Sequence, residues 1–356
     1  MKFHGNNILK VLDKTLGRLI VLVIGSLNLK KNNFNLNELT KRKKCKILII
    51  SINVMGDSLL LLPIINGLSK LEFIEISILS APENFEIFKN WGMFKKIFIF
   101  KIKKFVSLIW KLNTEQFDII IDTCQWIRLS SIISGLLKAN FKIGFKSEKQ
   151  YRHYVYDLAI PHINSNWEFF NYLKLFAFLP IEKININTEL KGIDKNYKKK
   201  WGKYILIHPG AGNVRKSWNK YENLIKIIIE KTNFNIVLTG KRSEFEISIK
   251  HKRLINMQDK TDLLNLNQLV KDADVLICGN TGIMYMALFN KTKLITIPGP
   301  VSTTQWFWPG EQIEILSNID CSPCVFFGFD YKCDKKICLD NVSVTAVFSA
   351  LKEYIE

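Results

Sequence analysis

Residues 204–218 read YILIHPGAGNVRKSW, and the fold turns on how this stretch is understood. Its first four residues are apolar, the signature of a parallel strand buried on both faces. The run breaks at His208-Pro209-Gly210-Ala211-Gly212. Proline cannot donate to a ladder, and Gly210 and Gly212 let the backbone turn tightly and approach a ligand. Arg215 and Lys216 follow, and residues 218–231 then alternate as an amphipathic helix. Strand, glycine loop, cation and helix is a recurring way to hold a phosphate. The GxxxxGK[ST] spacing of a Walker loop is absent. Taken alone, the stretch also fits an ordinary strand-to-helix turn with surface cations.

Downstream the alternation continues. Strands are expected at 235–239, 275–279 and 293–297, with helices at 262–271 and 281–288. Upstream, strands are expected at 46–52, 74–79, 96–100, 117–122 and 141–145, and helices at 58–71, 129–137 and 167–179. Such alternation implies parallel sheets with helices on both faces. Residues 181–200 are polar and lysine-rich and read as a linker between a first domain, 45–180, and a second, 201–340, with a tail helix in 341–356. Two doubly wound domains in tandem are expected to face a central cleft at the carboxyl ends of their strands, where ligands bind.

The chain has 356 residues, 47% of them hydrophobic, enough for two cores. Its formal charge of +19 suits an anionic partner, although Lys, Asn and Ile are abundant throughout. Residues 1–44 concentrate that charge, with ten Lys/Arg against Asp13 and Glu38. Ile8, Leu12, Leu16, Leu19, Ile20, Val23 and Leu27 recur at helical spacing in this arm. Its apolar core, 19–24, is far shorter than the ~20 residues of a membrane span. Two readings stay open: a helix lying in the bilayer interface, or one packed on the protein itself. No A-x-A cleavage site follows the first apolar run, so a reduced, cytoplasmic setting is expected. No nucleic-acid module is recognisable, and the aromatic residues are scattered through apolar runs.

Several constellations can carry chemistry. Asp57, in Asn53-Val54-Met55-Gly56-Asp57, stands where the first strand gives way to its helix. It is either a helix cap or a general base. Asn280, Thr281, Gly282 and Ile283 form a second strand-to-helix turn, whose free N–H groups can cradle a phosphate or simply be capped. Glu244 follows the strand-end Gly240 and can hold ribose hydroxyls. Cys321, Cys324, Cys333 and Cys338 either bind a structural zinc or are plain thiols. Asp272 and Asp274, at a helix end, read as capping and solvation.

These pieces occur in a particular order: KILIISINVMGDSLLLLP at 46–63, FDIIIDTCQWIRLSSIISGLLKANFKIGF at 117–145, then HPGAGNVRKSW, GNTGIMYMAL and the CSPC…C…C tail. Together they resemble the heptosyltransferases of lipopolysaccharide assembly, glycosyltransferase family 9, over nearly all of residues 46–356. The resemblance implies a GT-B architecture with the acceptor domain first and the nucleotide-sugar domain second. It implies inverting, metal-independent transfer, typically from an ADP-heptose. The basic arm suggests a branch peripheral to the inner face of the cytoplasmic membrane, which suits a lipid-linked glycan acceptor. It makes Asp57 the base, Lys216 the cation on the diphosphate, Glu244 the ribose contact, and Thr281 with Gly282 the phosphate turn. It has the tail helix, 342–354, crossing back to the first domain. The family pattern has Asp at Asn280 and His at Tyr285, so the donor sugar is open. So are a capsule, O-chain or protein-linked acceptor, and a binding protein that has lost catalysis.

Overall fold

The computed structural model describes residues 7–27, 44–181, 195–212, 216–307, 312–325 and 335–356, with positions 35, 184 and 193. The chain divides into two compact units, Met1–Asn185 and Ile186–Glu356.

The first unit opens with helices α1 (Asn7–Lys14) and α2 (Leu16–Leu27). A parallel β/α series follows: β1 (Cys45–Ser51), α3 (Met55–Leu68), β2 (Ile74–Ser80), α4 (Phe85–Trp91) and β3 (Lys96–Ile99). It continues with α5 (Phe105–Thr114), β4 (Phe117–Asp122), α6 (Arg128–Leu136), β5 (Ala139–Lys146), β6 (Leu158–Pro161) and α7 (Glu168–Phe176). The strand order is β3-β2-β1-β4-β5-β6, all parallel. From β1 the chain steps out to β3, then returns to β4 on the other side of β1. Right-handed crossovers therefore put α5 and α6 on the same face. Leu108 and Leu112 of α5 do share one core with Ile133 of α6, over Leu48, Ile50 and Ile120.

The second unit repeats this plan. It runs α8 (Tyr197–Trp201), β7 (Tyr204–His208), α9 (Tyr221–Lys231), β8 (Asn235–Leu238), β9 (Leu254–Asn256), α10 (Leu263–Asp272) and β10 (Val275–Gly279). Then come α11 (Ile283–Asn290), β11 (Lys293–Ile297), α12 (Thr303–Trp306), β12 (Ile313–Glu314), α13 (Ile337–Asp340) and α14 (Val344–Ile355). Its order, β12-β11-β10-β7-β8-β9, is the same topology, with β7 and β10 in the places of β1 and β4. The central strands are apolar on both faces, as helices on both sides require.

Two expectations change, and a third matter, left open between two readings, is narrowed. The tail helix, expected to cross to the first unit, packs in the second: Val347, Ala350 and Leu351 of α14 join its core with Leu224 and Ile228 of α9. The lysine-rich end of the expected linker is ordered as α8, where Tyr197 stacks on Trp201 and donates its backbone N–H to Asp272 (2.6 Å). Asp274 receives the Tyr204 N–H (2.9 Å) and Lys198 (2.7 Å), so both acids pin the chain as it enters β7.

The third concerns the arm, which is docked on its own protein. Val21 and Ile24 are buried against Ile132, Val155 and Tyr156, worth about 1.5–3 kcal/mol for each side chain fully covered. Gly135 makes room for Ile24: a Cβ there would lie 2.5 Å from its Cγ2. Asp13 accepts the N–H groups of Arg128 (3.2 Å) and Leu129 (3.0 Å), the first two of α6, and so caps that helix from outside. The packed reading holds for this face. The opposite face keeps Leu19, Val23 and Leu27 exposed.

Candidate active site

In a doubly wound sheet the crevice opens where strand order reverses. In the first unit that point lies between β1 and β4, and the segments leaving these strands carry Asp57 and Gln125. Asp57 is the third residue of α3, which takes Val54 as its N-cap with no side-chain bond. The cap reading therefore fails. The Asp57 carboxylate turns instead to α7, accepting from the Tyr172 hydroxyl (3.0 Å), and to Gln125 Nε2 (3.4 Å). Gln125 also donates to Glu168 (3.0 Å) and to Tyr172 Oη. Glu168 is buried and faces His162 Nε2 at 3.0 Å. Burial first, and then the neighbouring Glu168 charge, push the Asp57 carboxyl up to about 7, while Tyr172 and Gln125 pull it down. A buried carboxylate poised near neutrality is suited to accept a proton.

Gln125 is held by a second buried network that sequence reading did not find. Arg152 and Asp122 form a fully buried pair (2.8 Å). Tyr156 donates to the same carboxylate oxygen (2.6 Å), and Arg152 bonds the Cys124 carbonyl and Ser130 (3.0 Å). Asp122 accepts the Cys124 N–H (3.0 Å). The turn between β4 and α6 is thus clamped on both sides of its backbone. The alternation of apolar residues in 117–145 located the turn, but Arg152 lies beyond it, and only the fold brings it back.

In the second unit the reversal falls between β7 and β10, which pair with Cys278 opposite His208. The glycine loop leaves β7 and the Asn280–Ile283 turn leaves β10, so the fold brings the two expected phosphate-binding segments together. Lys216 belongs to this junction: its carbonyl oxygen lies 3.4 Å from where a Cβ on Gly279 would stand. Ser217 Oγ donates to the Pro209 carbonyl (2.7 Å), closing the loop at its base. Arg215 lies outside the described residues. Glu244 reaches the same place. A Cβ on Gly210 would sit 2.6 Å from Glu244 Oε2, so the missing side chain at Gly210 is what admits the carboxylate. Gly240, with φ +96°, turns the chain from β8 toward Glu244 and passes against the His208 ring. Burial pushes His208 down to about 4, and its Nδ1 lies 3.1 Å from Thr239 Oγ1. This imidazole at the end of β7, packed against Gly240, is a placement that the sequence displayed without revealing.

Helix α11 starts at Ile283, two residues later than expected, with Gly282 as N-cap. Thr281 Oγ1 is buried beside the Cys278 thiol. Gly212 is exposed, and Asn280 and Gly282 are half-buried. Tyr285, where the resemblance led to an expected histidine, is buried and donates to the Trp306 carbonyl (2.6 Å), tying α11 to α12.

Among the described residues no group of three His, Cys, Asp or Glu side chains is arranged to hold a metal, and Cys333 lies outside them. Cys321, Cys324 and Cys338 are free thiols. Burial raises the Cys338 thiol, and the nearby Cys324 and Cys321 raise it further. No described helix is long and apolar enough to cross a membrane.

The family model for glycosyltransferase family 9 (heptosyltransferase) matches residues 105–332, more than half of the chain. The chain belongs to this family. Its fold is also that of solved structures at low identity. A family 9 glycosyltransferase from Veillonella parvula is 14% identical, with a TM-score of 0.72 over 88% of this chain and 98% of that one. Heptosyltransferase II of E. coli, an ADP-heptose lipopolysaccharide heptosyltransferase, is 15% identical (TM-score 0.65, 86% and 99%). E. coli heptosyltransferase WaaC, solved with ADP, is 14% identical (TM-score 0.67, 87% and 99%). No curated protein matches the chain by sequence. The protein is thus a family 9 glycosyltransferase of the GT-B class, built from two doubly wound α/β units.

Proposed function

We propose that the protein transfers a heptose, or a related sugar, from an ADP-sugar to a lipid-linked surface glycan such as a lipopolysaccharide core, with inversion and without a catalytic metal. The observation that carries this reading is Asp57: a buried carboxylate at the strand-order reversal, not used as a cap, and raised to about 7. It takes the proton of an acceptor hydroxyl as that oxygen bonds to the anomeric carbon. The bond from that carbon to the diphosphate breaks on the opposite face, and the nucleoside diphosphate leaves with the electron pair. Lys216 and the N–H groups at the start of α11 meet the charge that develops there. Donors aimed at such charge are worth roughly 3–4 kcal/mol each. Glu244, beside Gly210, takes the ribose hydroxyls. The ADP-bound and ADP-heptose-named relatives support an adenine nucleotide, and the basic arm supports work at the inner face of the cytoplasmic membrane.

Tyr285 favours one variation. Its hydroxyl donates to the Trp306 carbonyl, and unlike a histidine it has no proton to trade near neutral pH. A donor other than ADP-heptose, used for a capsule, O-chain or protein-linked glycan, fits this departure. A release assay with ADP-, GDP- and UDP-sugars decides it. ADP release from the heptose donor alone upholds the first reading, and release from another nucleotide sugar replaces it. Release from none in the presence of acceptor glycans leaves a binding protein. A structural zinc on Cys321, Cys324, Cys333 and Cys338 is a separate proposal, supported by the closeness of the four thiols in the sequence. About one metal per chain, lost when all four are replaced, is its expected signature.

A further inference from the structure

The face of the first unit that carries α2 also carries α5, and both helices turn apolar residues outward. On α5, Ile102, Val106 and Trp110 follow one another at four-residue spacing from the turn before the helix, with Val106 81% and Trp110 71% exposed. The opposite side of α5, Leu108 and Leu112, is in the core, so the outward stripe is a true amphipathic face turned the wrong way for packing. On α2, Leu19, Val23 and Leu27 are 62%, 60% and 79% exposed while Val21 and Ile24 are buried. The two helices meet one shared cluster. Phe105, the first residue of α5, packs against the cluster in which Val21 and Ile24 of α2 meet Ile132, Val155 and Tyr156, and both helices lie on the side of the sheet covered by α6.

Charge indicates what covers this surface. Lys101, Lys103 and Lys104 are exposed at the foot of α5, and Lys14 and Arg18 are exposed on the arm. Residues 101–114 contain no acid, and the one acid of 7–27, Asp13, is spent on α6. A second copy seated here would bring cations against cations in a chain of net charge +19. Apolar residues ringed by lysines, with an outward tryptophan, match the interfacial zone of a bilayer with anionic headgroups.

We propose that α2 and α5 together form the surface by which the first unit seats on an anionic lipid bilayer, α5 contributing independently of the arm. This deepens the reading of a lipid-linked acceptor given above and rests on it for its purpose, not for its test. Flotation of the full chain with phosphatidylcholine vesicles, and with vesicles containing phosphatidylglycerol, reads the surface directly. Wild type is expected to bind the anionic vesicles and to release with rising salt. Val106→Ser with Trp110→Ser, and separately Leu19→Ser with Val23→Ser, are each expected to weaken that binding by about tenfold or more. Lys101, Lys103 and Lys104 changed together to Gln should remove the preference for anionic over neutral vesicles.

ADP binding, measured on the same variants, should be unchanged, since none of these residues lies in the second unit. Loss of ADP binding in wild type would count against the transferase reading and leave the surface standing. Wild-type protein that floats with neither vesicle overturns the surface. An α5 variant that floats like wild type removes α5 from it. Concentration-dependent dimerisation of wild type but not of the α5 variant would give the face to a second copy instead.

Discussion

Two of the groups that influence Asp57 can each be tested by one atom or one charge. The Tyr172 hydroxyl stabilises the ionised carboxylate, and the Glu168 charge opposes it. Tyr172→Phe should move the acidic limb of the kcat/KM profile to higher pH, and Glu168→Gln should move it lower. Shifts in the same direction, or none, would detach the limb from Asp57. Stability has its own sign. A carboxyl whose folded pKa stands near 7 rather than 3.8 stabilises the fold below about pH 4 and loses that contribution as pH rises through about 7. Asp57→Asn is therefore expected to melt no lower than wild type at pH 8, the reverse of what a cap or a structural ion pair would give. Sequence reading left Asp57 open between cap and base because both jobs belong to an acid at a helix start. The choice between them depends on Tyr172, more than a hundred residues away.

At the scale of elements, the β4–α6 turn depends on Arg152. Arg152→Met leaves Asp122 buried with Tyr156 as its main remaining partner, and a cost of about 3–5 kcal/mol is expected in denaturant titrations. Adding Asp122→Asn should recover much of that loss, because the uncompensated charge goes. If the single variant were as stable as wild type, the pair would not be the clamp described here. The glycine loop gives a second test. Gly210→Ala puts a methyl group 2.6 Å from Glu244 Oε2, and the side chain can swing away. The variant should stay folded and lose nucleotide affinity about as much as Glu244→Ala does. A normal affinity would mean that Glu244 is not a nucleotide contact. These clamps were invisible in the sequence for a common reason. Strands such as 117–122 and 275–279 announce themselves by unbroken apolar runs, whereas Arg152 and Gly210 matter only through partners that the fold supplies. Short edge strands, β6, β9 and β12, were missed because two to four residues give no period to read.

At the scale of the whole molecule, the same strand order occurs twice, and the two reversal points hold different residues. The repeated alternation made the two-unit plan legible, since a buried parallel sheet leaves few other ways to write a sequence. The proposed division of labour rests on what each reversal point holds: a buried carboxylate network in the first unit, and glycines, a lysine and a helix start in the second. It predicts that substitutions in one unit leave the other's step intact. Asp57→Asn keeps the size of the side chain and removes the base, so turnover should fall by about 10²–10⁴-fold. Affinity for the nucleoside diphosphate should stay near wild type, because nothing in the second unit has changed. Lys216→Ala should weaken both nucleoside-diphosphate binding and turnover, since the diphosphate carries its charge before and during transfer. Calorimetry for binding and nucleotide release for turnover separate the two. Near-normal turnover in Asp57→Asn would send the search for the base elsewhere in the first unit. Normal nucleotide binding in Lys216→Ala would mean that the loop leaving β7 is a turn and not a phosphate site, and the start of α11 would then have to hold the diphosphate alone.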